Sequence, residues 1–288
     1  MAQIQWFPGH MAKARREITE KLHLVDIVFE IVDARIPFSS SNPMMREIVK
    51  SKPRLVLLNK AKLADPKITK YWMEYYQAQG CYTLDIDLIE NYNLNKIMTV
   101  CTEALKDKID RDLSRGLKAA KIRAMVIGIP NVGKSTFINT LCKRKSLIVG
   151  DRPGVTKGQT WMKVNDSLEL LDTPGILWPK FDTKNIALNL ALSGAIKDDI
   201  LPIDEVITYG LEFMKKFYPA NLSKAYNIEI DDNLEVLEVY DLIGRKRGCI
   251  MRGNEIDYER VVKLILHDLR HNKLGVLSYD RDEEYLQV

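Results

Sequence analysis

One nine-residue stretch, GIPNVGKST (Gly128–Thr136), constrains the fold of this chain more than any other part of its sequence. It carries the pattern G-x-x-x-x-G-K-[S/T] in full, follows the apolar run AMVIGI and leads into the helical sequence TFINTL. A strand, a glycine-containing turn and a helix in this order bind phosphate through backbone N–H groups at the helix N-terminus. The alternative is a chance glycine-containing turn, which the flanking strand and helix argue against. The sequence therefore predicts a phosphate-binding loop in an α/β domain.

The same pattern assigns roles to individual residues of the loop. Lys134 is placed to reach the β- and γ-phosphates, and the hydroxyl of Ser135 is placed to bind Mg²⁺. Contacts with the nucleotide are expected from Asn131, Val132, Gly133, Lys134, Ser135 and Thr136. Mg²⁺ is therefore the expected cofactor.

Two further motifs follow the phosphate loop. Asp172, at the end of the apolar run in SLELLDTPG, is placed to support Mg²⁺, and the N–H of Gly175 is placed to face the γ-phosphate. Between the motifs, Thr156 in DRPGVTKG is placed to give its hydroxyl to Mg²⁺ only while the γ-phosphate is present. An ordinary loop residue is the alternative for Thr156. Together the three motifs predict a nucleotide switch.

The remaining pattern predicts the architecture. Nearly continuous apolar runs predict buried strands in IVFEIVDA, PRLVLLNK, CYTLDID, AMVIGI and SLELLDTPG. Helical patterns lie between them at Met11–Leu24, Asn42–Lys50, Pro66–Gln79 and Leu94–Leu117. This alternation predicts a parallel, doubly wound sheet. From about Phe181 the pattern is helical, so we predict an α/β domain over residues 1–178 and a smaller all-helical domain over residues 179–288.

Composition narrows the class of protein. The chain has no apolar run of the roughly 18 residues that a membrane span needs, and its four cysteines form no CxxC pair, which favours reduced cytosolic thiols. Residues 1–180 hold 29 Lys and Arg against 19 Asp and Glu, whereas residues 181–288 hold 14 against 20. The basic first part is compatible with contact to a polyanion and equally with a solvated surface.

The order of the motifs is unusual. A stretch that resembles a guanine-reading loop, LLNKAKLAD, comes before the phosphate loop, whereas most GTPases carry it afterwards. With WFPGHMAKA, VDARIP, GDRPGVT, LLDTPGILWPKF, SGAIKD and a KRG near the C-terminus, the chain resembles the ribosome biogenesis GTPase A family of circularly permuted P-loop GTPases. The resemblance implies a permuted GTPase domain whose sheet is unchanged, since permutation is tolerated where termini lie close together.

The resemblance also implies a function. Members of this family are cytosolic bacterial proteins that bind the maturing large ribosomal subunit and hydrolyse GTP during late assembly. For this chain it implies GTP and GDP as ligands, contact with rRNA, slow hydrolysis that the ribosomal particle stimulates, and release on hydrolysis. We expect a monomer without membrane or DNA partners. The alternatives are a ribosome- or RNA-binding module with weakened base selectivity or turnover, and an ATPase.

Guanine recognition is where this chain departs from the family. Asn59 and Lys60 keep their expected positions, but Lys62 stands where guanine-reading loops carry an Asp. A lysine has no acceptor for the N1–H and amine of guanine, so we expect weakened selectivity. Asp65 lies three residues too late to substitute. A second base-contacting segment is expected at Asp87 and Leu88, where a backbone N–H can still serve the guanine oxygen.

The candidate catalytic residues follow from a difference between this chain and Ras-like enzymes. Ile176 occupies the position after DTPG where Ras-like enzymes place a Gln that orients the attacking water. Isoleucine cannot do this, so His10 in WFPGHM is the candidate for orienting the water, alongside Lys134 and Thr156. Alternatively, His10 caps a loop or touches RNA. Asn131 resembles the residue that helps to hold K⁺ beside the phosphates in similar GTPases, the alternative being a plain turn residue.

The second domain contains one strongly patterned helix. DYERVVKLILHDLRHNKLG (Asp257–Gly275) is predicted as an amphipathic helix with Asp257 as its N-cap and Gly275 as its stop. A basic face opposite the apolar one carries Arg260, Lys263, His267 and Arg270. This face is compatible with binding RNA phosphate and with simple solvation.

Overall fold

The computed structural model describes residues 8–116, 121–142, 161–173, 175, 177, 181, 183–196, 202–231 and 233–281. The chain divides into two compact units, Met1–Phe181 and Asp182–Val288. The domain boundary predicted after residue 178 falls among residues outside the described ranges.

The first unit is built on a sheet of six strands. These are β1 (Ile27–Asp33), β2 (Arg54–Asn59), β3 (Tyr82–Asp85), β4 (Ile122–Ile127), β5 (Trp161–Lys163) and β6 (Leu168–Asp172). Their order across the sheet is β3-β2-β1-β4-β6-β5, and all neighbours run parallel except β5 and β6. All seven residues of β1 and the last five of β2 are buried, as expected for strands covered on both faces. The predicted α/β class with a mainly parallel sheet is confirmed.

Six helices of this unit are described. They are α1 (Pro8–Lys21), α2 (Pro43–Val49), α3 (Pro66–Ala78), α4 (Ile97–Ala104), α5 (Lys106–Ser114) and α6 (Lys134–Leu141). Two begin at sequence-encoded caps, because Asn42 Oδ1 accepts from the N–H of Met44 at 3.0 Å and Asp65 Oδ1 from that of Lys67 at 2.9 Å. In both, a proline occupies the first helical position, where its missing N–H costs nothing.

Three features of this unit differ from the sequence prediction. The first helix begins at Pro8 and ends at Lys21 rather than spanning Met11–Leu24, and the helix predicted over Leu94–Leu117 is two helices that meet at Leu105. Leu105 is buried and leaves helical geometry, with φ −111° and ψ 15°. Strand β5 was not predicted, because only one of its three residues, Met162, is buried.

The second unit contains the helices α7 (Lys184–Leu192), α8 (Ile203–Phe217), α9 (Pro219–Tyr226), α10 (Val236–Lys246) and α11 (Tyr258–Arg270). The predicted N-cap of α11 is present, because Asp257 Oδ1 accepts from the N–H of Arg260 at 3.1 Å. The helix ends at Arg270 rather than Gly275, since Asn272 adopts a positive φ of 57°. The N–H of Lys273 then bonds the carbonyl of Asp268 at 3.0 Å, a helix-ending turn. Among all described residues, no helix is both long and apolar enough to cross a membrane.

A buried ionic cluster lies at the end of β1. The Asp33 carboxylate, 2% exposed, accepts from Arg35 Nε at 3.0 Å and Nη2 at 2.8 Å, and from Lys60 Nζ at 2.7 Å. Burial alone would raise the pKa of Asp33, but Arg35 and Lys60 outweigh burial and hold that pKa well below its usual range. The cluster therefore joins the chain after β1 to the chain after β2.

We expect Asp33→Asn to lower the free energy of unfolding by about 3 kcal/mol, because two cations would lose their buried counter-charge. Glu20→Gln, which removes the partner of exposed Arg16, is the matched control and should cost under about 1 kcal/mol. Urea denaturation measures both. Because the folded pKa of Asp33 is depressed, its contribution is present above the unfolded pKa of about 4. The loss should thus be the same at pH 5 and pH 7, and equal effects of the two substitutions would contradict this account.

Candidate nucleotide-binding site

The predicted phosphate loop lies at the carboxyl edge of the parallel sheet, between β4 and α6. The loops after β2 and β3 leave the same edge, since these strands run parallel to β4 through β1. Ligands of open α/β sheets bind at this edge. The fold therefore brings the predicted phosphate-contacting and base-contacting segments to one place.

Two glycines of the loop are required by close backbone approach. A Cβ at Gly128 (φ 152°) would stand 2.6 Å from the carbonyl oxygen of Ile31, and a Cβ at Gly133 (φ 101°) would stand 2.5 Å from Asn59 Nδ2. Both distances lie well inside van der Waals contact. Asn131, between them, adopts φ 60°, a left-handed conformation that Asn tolerates better than most residues. The loop geometry thus explains why the sequence places these residue types here.

Lys134 is the first residue of α6 and its side chain is buried, at 8% exposure. Its Nζ donates to the carbonyl of Ile129 at 2.7 Å. A Cβ at Gly175 would stand 2.6 Å from the same Nζ, so the ammonium also lies against the DTPG segment. Burial lowers the pKa of Lys134 to about 8, with Asp172 acting in the opposite direction. The ammonium thus lies between the two predicted phosphate-contacting segments. The negative charge of Asp172 does not fully compensate the cost of burying the ammonium.

Asp172 ends β6 and is 2% exposed. Its Oδ2 is buried and has no hydrogen-bond partner within the described ranges. Burial raises the pKa of Asp172 to about 6, although Lys134 and the backbone N–H of Thr173 oppose the shift. An unpaired buried carboxylate oxygen is a fitting partner for a hard cation such as Mg²⁺, which binds through one or two protein ligands, waters and substrate phosphates. No group of three or more His, Cys, Asp or Glu suited to a metal occurs among the described residues.

The loop after β2 is bonded directly to the phosphate loop. Asn59 Nδ2 donates to the carbonyl of Val132 at 2.7 Å, and Lys60 Nζ donates to the carbonyl of Asn131 at 3.3 Å. Burial lowers the pKa of Lys60, with Asp33 working against that shift. Asn59 is 3% exposed, and its buried Oδ1 has no partner in the described part of the chain. This acceptor is available to a donor on a bound ligand.

The loop after β3 forms a compact turn beside it. Asp87 Oδ1 accepts from the N–H groups of Ile89 and Glu90 at 2.9 and 3.1 Å. The backbones of Asp87 and Tyr92 pair across the turn. Leu88 is buried, and its Cδ1 lies 3.3 Å from the position of a Cβ on Gly133. The structure therefore places Leu88 next to the phosphate loop, with Asp87 beside it in the chain.

Lys62 and Asp65 take other roles in the structure. Lys62 is exposed, and its Nζ lies 3.9 Å from the centroid of the Tyr92 ring, a cation–π contact. Asp65 caps α3. Lys62 therefore places a cation at the position where guanine-reading loops carry an acidic residue. The next acidic residue along the chain, Asp65, bonds the N-terminus of α3 instead.

Some predicted site residues lie outside the described part of the chain. These are Thr156 and Ile176 in full, and the side chain of His10, whose backbone belongs to the first turn of α1. The half-exposed Ser135 and Thr136 follow Lys134 in α6. Sequence reasoning missed Asp33 and Arg35, although an acidic residue at the end of a buried strand with an arginine two residues later is a usable signal.

Comparison with known proteins gives concordant results. A family model described as a 50S ribosome-binding GTPase matches residues 123–217. A Bacillus licheniformis protein named Ribosome biogenesis GTPase A is 52% identical over 281 residues, covering 98% of this chain and 99% of that protein. The Thermotoga maritima protein of the same name is 32% identical over 285 residues, covering 99% and 97%.

Solved structures agree. A GDP-bound structure of YlqF superimposes with a TM-score of 0.66 at 27% identity, covering 93% of this chain and 100% of that chain. The crystal structure of GNP-bound YlqF from T. maritima gives 0.62 at 28% identity, covering 93% and 98%. Because these relatives match over nearly their whole length, the chain belongs to the ribosome biogenesis GTPase A family.

Proposed function

We propose that this chain is a GTP-hydrolysing assembly factor that binds the precursor of the bacterial large ribosomal subunit late in maturation and leaves it on hydrolysis. The observation that carries the proposal is the position of the Lys134 ammonium, which bonds the phosphate loop and lies against Gly175. Two segments distant in sequence, the phosphate loop and the DTPG segment, thus converge where a triphosphate would bind. The relatives named Ribosome biogenesis GTPase A support the ribosomal part of the proposal.

We propose the following roles for the site residues. Lys134 neutralises phosphate charge, and the N–H of Gly175 faces the γ-phosphate. Ser135, Thr156 and Asp172 would hold Mg²⁺, which neutralises phosphate charge when it is bound. Asn131 would help to hold K⁺ in the same region. Asn59, Lys60, Asp87 and Leu88 contact the base.

His10 is proposed to orient the attacking water in the particle-bound protein. An imidazole can orient a water or accept its proton near neutral pH. Because His10 stands in the first turn of α1, a partner that touches this helix could change its position. Hydrolysis is therefore proposed to be slow alone and faster on the ribosomal particle.

The proposed contact with rRNA rests on exposed basic side chains of the second unit. Arg245, Lys246 and Arg247 are exposed at the end of α10. Arg260, Lys263 and His267 are exposed on α11. Such a surface reads phosphate and shape rather than base sequence. The proposed setting is the bacterial cytoplasm, with the chain acting as a monomer and binding neither DNA nor membrane.

GTP turnover with and without large-subunit precursor particles tests the function. We expect the particles to raise the rate at least about 10-fold, because they complete a site in which a water is poorly oriented. Small-subunit particles should have no effect. No hydrolysis above background with either particle would contradict the proposal.

The His10→Ala variant tests the mechanism in the same assay. It should bind GDP as the original chain does and lose about 100-fold of the stimulated rate, the typical contribution of a positioned acid–base group. Lys134→Ala is the contrasting variant, and it should lose nucleotide affinity as well. Unchanged stimulated turnover in His10→Ala would remove His10 from the mechanism.

Nucleotide binding should be accompanied by proton uptake that increases with pH. The pKa of Lys134 is lowered to about 8, and bound phosphates would raise it by favouring the charged ammonium. Uptake per GDP should therefore be small at pH 7, about half a proton at pH 8 and larger at pH 9. Calorimetry in two buffers of different ionisation enthalpy measures it. K134R, whose guanidinium stays charged, is the control, and proton release at pH 8 would contradict the assignment.

A further inference from the structure

The two base-contacting loops offer an incomplete set of polar groups. Guanine presents two donors on one edge, N1–H and the 2-amino group, and only an acceptor such as a carboxylate can bond both. Inosine lacks the 2-amino group but is otherwise identical to guanosine. Whether a site distinguishes these two nucleosides therefore reports directly on an acceptor at that edge.

The location of the base follows from the phosphate loop. Asn59 bonds Val132 within that loop, and Leu88 closely approaches Gly133. The N–H of Ala61 also donates to the carbonyl of Ile86 at 3.0 Å, which ties the two base loops together. A nucleotide whose phosphates occupy the loop must present its base to these two segments.

The carboxylates of these segments already accept hydrogen bonds from the protein or lie exposed to solvent. Asp65 caps α3, and Asp85 Oδ1 accepts from Asn93 Nδ2 at 3.0 Å. Asp87 Oδ1 accepts two N–H groups of its own turn, and its charge raises the pKa of Lys60 against the larger effect of burial. Glu90 is exposed in the turn. Each acidic side chain in these segments is thus bonded within the protein or exposed to solvent.

Lys62 adds no hydrogen-bond acceptor for the base. Its ammonium lies over the ring of Tyr92, whose backbone pairs with that of Asp87. An ammonium has three donors and no acceptor, so it cannot bond either donor on the guanine edge in any rotamer. The buried Oδ1 of Asn59 supplies one acceptor, whereas the guanine edge presents two donors.

We infer that the nucleotide site of this chain does not read the 2-amino group, so that guanosine and inosine nucleotides bind it alike. This inference rests on the proposed function, since it concerns the base of the same nucleotide. The substrate class is then purine nucleoside triphosphates with a 6-oxo group, wider than GTP alone. Lys62 is the specificity-determining residue, through the carboxylate that it replaces.

Equilibrium binding of GDP and IDP with Mg²⁺ tests the inference on the full chain. The two dissociation constants should agree within about 3-fold, because the groups that contact phosphate and ring are the same for both. Lys62→Asp should favour GDP over IDP by at least about 10-fold, the effect of one hydrogen bond to a charged acceptor. Lys62→Ala, which removes the ammonium without adding a carboxylate, should keep the ratio within about 3-fold.

The outcomes separate the inference from the function it rests on. A preference of 10-fold or more for GDP in the unmodified chain would overturn the inference and leave the GTPase function intact. Loss of that preference in Asp87→Asn would then identify Asp87 as the acceptor. Failure of both nucleotides to bind would overturn the inference together with the proposed function.

Discussion

The carboxylate of Asp33 holds together the part of the molecule on which the nucleotide site depends. It pairs with Arg35 and with Lys60, and Lys60 in turn reaches the carbonyl of Asn131 in the phosphate loop. One buried anion thus fixes the segment after β1, the first base loop and the phosphate loop relative to each other. A buried charge is expensive unless it is fully paired, and the bidentate arginine together with the lysine provides that pairing. The proposed site is therefore held in place by a carboxylate that is not itself one of the proposed ligand contacts.

The charges of the predicted phosphate site, unlike that of Asp33, are not fully compensated within the protein. Lys134 and Asp172 are both buried, and burial shifts the pKa of each toward its neutral form, to about 8 and about 6. Their mutual attraction opposes both shifts without removing them. Phosphate oxygens and a divalent cation would supply the missing counter-charges. A site with unpaired buried charges gains electrostatic energy from its ligand that a solvated site would not, which suits the proposed nucleotide switch.

The sequence predicted most of the fold because its strongest signals are local. The apolar runs that became β1, β2 and β4, the helical patterns that became α2 and α3, and the phosphate loop each follow from a few adjacent residues. The failures depend on packing over longer distances. Strand β5 has one buried residue and gains its hydrogen bonds from β6. Leu105, where the predicted helix breaks in two, is a buried residue with non-helical backbone angles.

The candidate site shows the same division between local and distant information. Motif spacing placed Asn59, Asp87 and Leu88 beside the loop that contains Gly133, and the sequence exposed the anomaly at Lys62. It could not reveal that Lys62 lies over Tyr92, 30 positions away, or that Asp33 pairs with Lys60. These contacts depend on which strands are neighbours in the sheet. A sequence motif within one loop does not show which strands are neighbours in the sheet.

We propose that three separate loops form one nucleotide site at one edge of the sheet. Hydrogen–deuterium exchange of the full chain, with and without saturating GDP and Mg²⁺, is the decisive measurement. Exchange should become slower on nucleotide addition in residues 59–63, 87–92 and 128–136 together, because ligand binding stabilises all three segments. Protection of the phosphate loop alone, with no change in the two base loops, would contradict it.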